Sequence, residues 1–236
     1  MIVTLDERCS IFFGDKSTSP ISHKSAQHKN FCEDLRQQLG LSHLVRQYQV
    51  HKADGWNIES MSQLTSPVML EEREGDFLIT NQPGVGIAVL TADCLPIIFY
   101  APQHHLVAAA HAGWRGSIAG IAVKVLASFT EQYGLDLSQV QVHFGPAARA
   151  CCYEVQQDFL DALPLDAEPF IVSRGGKYFF DNSLFNKQQL ISFGILPENI
   201  NDHYNLCTMC NHQFCSYRRS TEKQEFKAQT TVVWLR

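Results

Sequence analysis

Two side chains in the middle of this chain could do chemistry together. Cys94 sits in Thr91-Ala92-Asp93-Cys94-Leu95-Pro96, where an apolar run breaks. His111 ends the next apolar run and precedes the glycine-bounded turn Gly113-Trp114-Arg115-Gly116. They are 17 residues apart. If the runs are adjacent strands joined by a tight hairpin, both residues reach the same end of a sheet. His51, closing a predicted strand over 44–51, is a third candidate. A thiolate and two imidazoles suit zinc, and three protein ligands leave a fourth position for water or substrate. Water at such an ion loses a proton near neutral pH. The competing reading is a small core cysteine beside a packed histidine. Local spacing alone favours the core reading.

Other groups are weaker candidates. Cys207-Thr208-Met209-Cys210, with His212 and Cys215 behind it, has the spacing of a zinc or redox motif. Its last three donors are joined by very short loops for a tetrahedral shell, so a reduced, packed cluster is the expectation. Cys151-Cys152 follow Gly145-Pro146 and read as turn residues. His104-His105 and Arg218-Arg219 read as solvent-facing. Phosphate loops of the Walker or Rossmann type are absent from the sequence.

Strands must carry the central pair. The runs 86–92, 95–100 and 106–112 are apolar throughout, as in strands covered on both faces. Further strands are expected over about 2–13, 76–82, 139–144 and 229–235. A helix is expected over 31–39, capped by Asn30 and stopped by Gly40. A second, capped by Ser117, repeats Ile118, Ala122, Val125 and Phe129 at helical spacing and stops at Gly134. Helical character recurs at 153–163 and 183–193, while 15–28 reads as a polar loop and 52–75 as a loop or an insertion. The pattern predicts an α/β (α+β) fold, with layered mixed β-sheets flanked by helices and a single domain over 1–236.

Composition narrows the function. Net charge is −5, which argues against a broad cationic face for nucleic acid or anionic lipid. No run approaches a membrane span, and MIVTLDERCS lacks the form of a secretory signal. A cytoplasmic protein with its eight cysteines reduced is expected.

Longer motifs then carry a resemblance. TADCLPIIF (91–99), HAGWRG (111–116), GPAARACCYEV (145–155) and CSYRR (215–219) together resemble the multicopper polyphenol oxidase or laccase-domain family. These are the YfiH-like proteins, regarded as purine nucleoside phosphorylases. The resemblance implies a zinc site at His51, Cys94 and His111, from QVH, ADC and HAGWRG. It implies phosphorolysis of adenosine, inosine, guanosine and methylthioadenosine with phosphate, and adenosine deamination beside it. It also implies a layered fold similar to the cytotoxic necrotising factor catalytic domain. Arg115 is then a candidate for holding phosphate or transition-state charge, and Asp93 for carrying a proton or supporting the metal ligands. The sequence departs from the family at 10–20, which lacks the usual Arg and Gly-Gly, and after His51, where Lys52 replaces a glycine. Alternatives are a copper-dependent polyphenol oxidase, since Cys and two His also suit copper, a metal-free hydrolase with Cys94 as nucleophile and His111 as base, and a non-catalytic binding module.

Overall fold

The computed structural model describes residues 1–19, 27–221 and 226–236. Residues 20–26, part of the expected loop over 15–28, lie outside them. In chain order the strands are β1 (Ile2–Thr4), β2 (Cys9–Phe13), β3 (His43–Tyr48), β4 (Gly55–Ile58), β5 (Val68–Glu74), β6 (Phe77–Thr80), β7 (Val85–Thr91) and β8 (Leu95–Ala101). They continue as β9 (Leu106–Ala112), β10 (Gln141–Phe144), β11 (Glu154–Val155), β12 (Ile171–Arg174), β13 (Lys177–Phe180), β14 (Ile200–Asn201) and β15 (Gln229–Leu235). The α-helices are α1 (Gln27–Gln38), α2 (Trp114–Ile118), α3 (Ile121–Tyr133), α4 (Gln157–Asp161) and α5 (Asn182–Phe193). None among the described residues is long and apolar enough to cross a membrane.

Two mixed sheets, ordered β1-β2-β15-β7-β3-β5 and β14-β10-β8-β9-β6-β4, pack face to face. The layering follows from alternation along the strands. Ile87 and Val89 point between the sheets, where they meet Ile98, Tyr100, Val107 and Ala109. Ala88 faces the other way, in a cluster with Leu35 of α1. Ile97 and Phe99 turn outward onto Val125 and Phe129 of α3. Both faces of β7, β8 and β9 are therefore dry, which is why their sequences are apolar without interruption. A small third sheet, β11-β13-β12, lies beyond this sandwich.

Several expected boundaries move. The strand expected over 2–13 splits because Asp6 accepts the N–H groups of Arg8 at 2.8 Å and Cys9 at 2.9 Å, making a turn. Helix α1 already includes Gln27, so Asn30 lies inside it, whereas Gly40 does stop it, at φ +69°. The stretch 52–75 is not all loop: β4 and β5 lie there, at the edges of the two sheets, where polar residues are tolerated and apolar runs are not needed. Ser117 does not cap a long helix. It is buried in α2 and accepts a hydrogen bond from Asn186 Nδ2 at 2.9 Å, and α3 starts after Gly120 at φ +74°. The helical expectation over 153–163 shrinks to α4, with Glu154–Val155 in a strand.

His143 on β10 marks an acid-sensitive point of this frame. Val142 and Phe144 face the helices, which turns His143 to the opposite side. Neither ring nitrogen has a partner among the described residues, and burial lowers the imidazole pKa from 6.5 to about 4. Unfolded chains take up this proton below about pH 6.5 and folded ones only below about 4, so stability falls as pH drops through that window. The loss is on the order of 3 kcal/mol, at 1.36 kcal/mol per pKa unit. Denaturant midpoints measured from pH 7 to 4 should fall less steeply for His143→Leu than for wild type; parallel profiles would refute the assignment.

Candidate metal centre

The hairpin of β8 and β9 does what the spacing requires. Pro96 pairs with His111 and Leu95 with Ala112, so Cys94, one residue before β8, reaches the His111 end of the sheet. His51 arrives three residues past β3, from the other sheet. The ligand atoms of His51, Cys94 and His111 lie within 4.8 Å of one another. The two imidazoles meet edge to face, with centroids 4.7 Å apart. His111 is buried, Cys94 half-buried and His51 exposed, so the group opens on one side.

Backbone strain marks the approaches. His51 has φ +59° and Asp93 φ +90°, both in a region that L side chains rarely adopt. Such conformations persist only where surrounding contacts fix them. At His51 the contact is Asp76, whose carboxylate accepts the N–H groups of Val50 (3.2 Å), His51 (3.0 Å) and Lys52 (2.8 Å). At Asp93 it is Thr208 Oγ1 (2.7 Å), Ser216 Oγ (3.0 Å) and the N–H of Arg218 (2.7 Å), all donating to its carboxylate. Gln49 adds a brace to the His51 segment. Its side chain accepts from Leu90 N–H at 2.7 Å and donates to Leu90 C=O at 2.8 Å.

The glycines of the turn have steric reasons. A Cβ on Gly113 would lie 2.9 Å from the His51 ring and 3.2 Å from Cys94 Sγ. One on Gly116 would lie 2.7 Å from the Lys52 carbonyl oxygen. His51 and Cys94 thus close on Gly113 so tightly that a Cβ has no room there, and the donor set of one sulfur and two nitrogens is one that zinc accepts.

Asp76, which the sequence reading did not single out, also holds His111 Nδ1 at 2.8 Å. This fixes the ring and leaves Nε2 to face Cys94. The charges are mutually supporting. Burial opposes the Cys94 thiolate, but His111 and His51 beside it bring the pKa down to about 6. Burial likewise opposes the His111 imidazolium, while Cys94 and Asp76 raise its pKa to about 9. Asp76 is held below its ordinary value: burial works against ionisation, and the His111 bond and the backbone N–H groups outweigh it.

A cleft of about 1000 Å³ opens above the three ligands. Its walls include Arg115, Trp114, Tyr153, Phe159 and Arg218. The Arg115 guanidinium stacks on Trp114, 4.1 Å from the ring centroid, and that of Arg218 lies 4.5 Å from the centroid of Tyr153. Arg218 is exposed, as expected, and lines the cleft as well. Arg219 is also tied down, donating to the carbonyls of Thr208 (2.6 Å), Met209 (3.0 Å) and Phe214 (2.5 Å). Cys207 and Cys210 meet Cys151 and Cys152, not His212 and Cys215. Cys215 is buried and donates to Ser19 Oγ at 3.2 Å. Cys151-Cys152 are thus more than turn residues. The signals for Tyr153 and Arg218 were short motifs, CCYEV and CSYRR; Asp76 had only its place before an apolar strand.

Fold and site together define a layered α/β protein whose cleft ends on a Cys-His-His group. Residues 22–236 match the multi-copper polyphenol oxidoreductase laccase family, and the chain belongs to it. A purine nucleoside phosphorylase of Borreliella burgdorferi is 38% identical over 169 residues, covering 69% of each chain. Another, from Aquifex aeolicus, is 35% identical over 161 residues, or 68% of this chain and 72% of that one. The crystal structure of the Bacillus licheniformis hypothetical protein YfiH superposes with a TM-score of 0.84 over 97% of this chain and 93% of that one, at 24% identity. That similarity extends the agreement in fold to almost the whole chain.

Replacing Asp76 by Asn keeps the size but removes the charge and turns one of the two acceptor oxygens into a donor. Metal affinity at the Cys94 group, measured by chelator competition, should weaken about 10–100-fold. Unchanged affinity would show that Asp76 does not orient His111.

Proposed function

We propose that this chain is a zinc-dependent purine nucleoside phosphorylase acting in the cytoplasm, with residues 1–236 as one catalytic domain. The observation that carries the reading is the convergence of His51, Cys94 and His111 at the end of a cleft that also presents Arg115. The names of the two bacterial relatives support it. Substrates would be adenosine, inosine, guanosine or methylthioadenosine together with phosphate, and adenosine deamination would be a second activity.

In phosphorolysis a phosphate oxygen bonds to ribose C1′ as the bond from C1′ to the purine nitrogen breaks. The bonding pair leaves with the purine, which takes up a proton. Zinc held by His51, Cys94 and His111 would supply Lewis-acid stabilisation of developing negative charge. Arg115 would hold the phosphate. Its position on Trp114 fixes the guanidinium before substrate arrives, so little ordering cost remains. Trp114, Tyr153 and Phe159 offer apolar surface suited to a purine. Asp93 serves as a positioning residue: three donors already occupy its oxygens, which leaves it poorly placed to shuttle a proton.

The copper oxidase alternative fits less well. Reduction of dioxygen to water by several coppers needs many imidazoles, and among the described residues the other candidate metal group contains only cysteines. A metal-free hydrolase keeps one supporting observation, the lowered thiol pKa of Cys94 beside His111. One experiment separates these. Purified protein is analysed for metal, then incubated with adenosine or inosine, with and without phosphate, and products are separated by chromatography. Base release should require phosphate and bound zinc, and should vanish in Cys94→Ala. Arg115→Ala should lose about 100-fold in kcat/KM. Phosphate-dependent release that survives in metal-free Cys94→Ala would refute the site; turnover by metal-free wild type that is lost on alkylating Cys94 would select the hydrolase.

A further inference from the structure

We propose that Cys151, Cys152, Cys207 and Cys210 form a second metal site, a structural tetrathiolate zinc site separate from the Cys94 group. It stands independently of the phosphorylase reading. The four sulfurs come from two segments far apart in sequence, yet all lie within 4.8 Å of one another. Cys210 Sγ is 3.0 Å from that of Cys152 and 3.5 Å from that of Cys151. Four thiolates around one zinc, at about 2.3 Å each, stand about 3.8 Å apart along the edges of the tetrahedron. The observed cluster needs only small side-chain adjustments to reach that shape.

The surrounding backbone has the form of a thiolate site. N–H groups of Arg149, Met209 and Cys210 are directed at Cys207 Sγ. The Cys-Thr-Met-Cys turn therefore wraps its own amides around its first sulfur. Hydrogen bonds of this kind favour a thiolate ligand and fix its direction. The scaffold is assembled without help from the cluster. Ala147 and Cys207 form a parallel bridge, with Ala147 N–H donating to Leu206 C=O at 3.1 Å and Thr208 N–H to Ala147 C=O at 3.0 Å. Arg149 donates to Asn205 C=O at 3.1 Å, and Arg219 holds the carbonyls of Thr208 and Met209 from the other side. Arg174 on β12 donates to Cys151 C=O at 2.8 Å.

Ligand type selects the metal. A compact all-sulfur set favours zinc or iron, and zinc needs no redox partner. With four protein ligands no position is left for water or substrate, so the role is structural. Its place explains what it would stabilise. Cys152 and Met209 line the cleft, and Tyr153 follows directly. Thr208, inside the same turn, donates to Asp93. Zinc here would lock the wall facing the Cys94 group to the segment that fixes Asp93.

The test counts ions and reads their ligands. Wild-type full-length protein, purified without chelator, should carry two zinc ions per chain by mass spectrometry. X-ray absorption should show five sulfurs and two imidazoles shared between them. His51→Ala/His111→Ala, which leaves the cysteine cluster intact, should retain one zinc with four sulfurs at about 2.3 Å. Cys207→Ser/Cys210→Ser should retain one ion with a single sulfur ligand; if it does not fold, the histidine variant and wild type still decide. Wild-type protein without a zinc bound by four sulfurs, a cluster that holds iron instead, or a Cys152–Cys210 disulfide in metal-free folded protein would each overturn the proposal.

Discussion

The Asp76 carboxylate is the interaction on which the rest depends. It is buried, and it receives four donors: three consecutive backbone N–H groups, of Val50, His51 and Lys52, and the ring of His111. Desolvating a carboxylate costs several kcal/mol unless hydrogen bonds replace the lost water. Here the replacements come from two sheets. Val50 to Lys52 follow β3 of one, and His111 lies on β9 of the other. The ion that solves its own burial problem thereby sets the distance between the two histidines.

Asp93 repeats the arrangement on the opposite side of Cys94. Its donors come from 208–218, almost the end of the chain, so that segment is brought to the strand break that presents the cysteine. Each carboxylate also secures a non-glycine residue at positive φ, His51 in one case and Asp93 itself in the other. Strain of this kind, on the order of 1–3 kcal/mol per residue, points away from easy folding and toward precise placement. One strained residue, His51, is itself a candidate ligand, and the other, Asp93, directly precedes a second, Cys94.

Legibility in the sequence followed burial. β7, β8 and β9 were visible because both faces are dry and the apolar runs are unbroken. β4 and β5 were missed because they are edge strands, and Glu71-Glu72-Arg73-Glu74 carries no alternation. The single helix expected from Ser117 onward failed because Gly120 interrupts it, a break that a 3.6-residue period does not register. Spacing alone favoured a core cysteine and a core histidine at Cys94 and His111; the surrounding motifs made them, with His51, a candidate metal group. Asp76 left no such trace. Its importance comes from a pairing 35 residues long, through which His111 N–H also bonds Asp76 C=O at 2.7 Å. Cys151-Cys152 and Cys207-Cys210 were each visible as pairs, but their meeting depends on the Ala147–Cys207 bridge, a contact with no local signal.

The charge pattern around Cys94 shows how such a group could be kept in ionised form and receive a metal. Without metal, thiolate and imidazolium neutralise one another, with Asp76 behind His111, so the buried charges are paired. An unpaired thiolate there would be neutralised by protonation. A metal ion held by this group would take the place of the proton on His111, so Cys94 and Asp76 would still face a cation. The ligands then need no rearrangement of the buried carboxylate network. His51, its backbone held by Asp76, is the one exposed member of the three. With His111 buried and His51 exposed, the group is open only toward the cleft, the side from which an ion or a substrate would reach it.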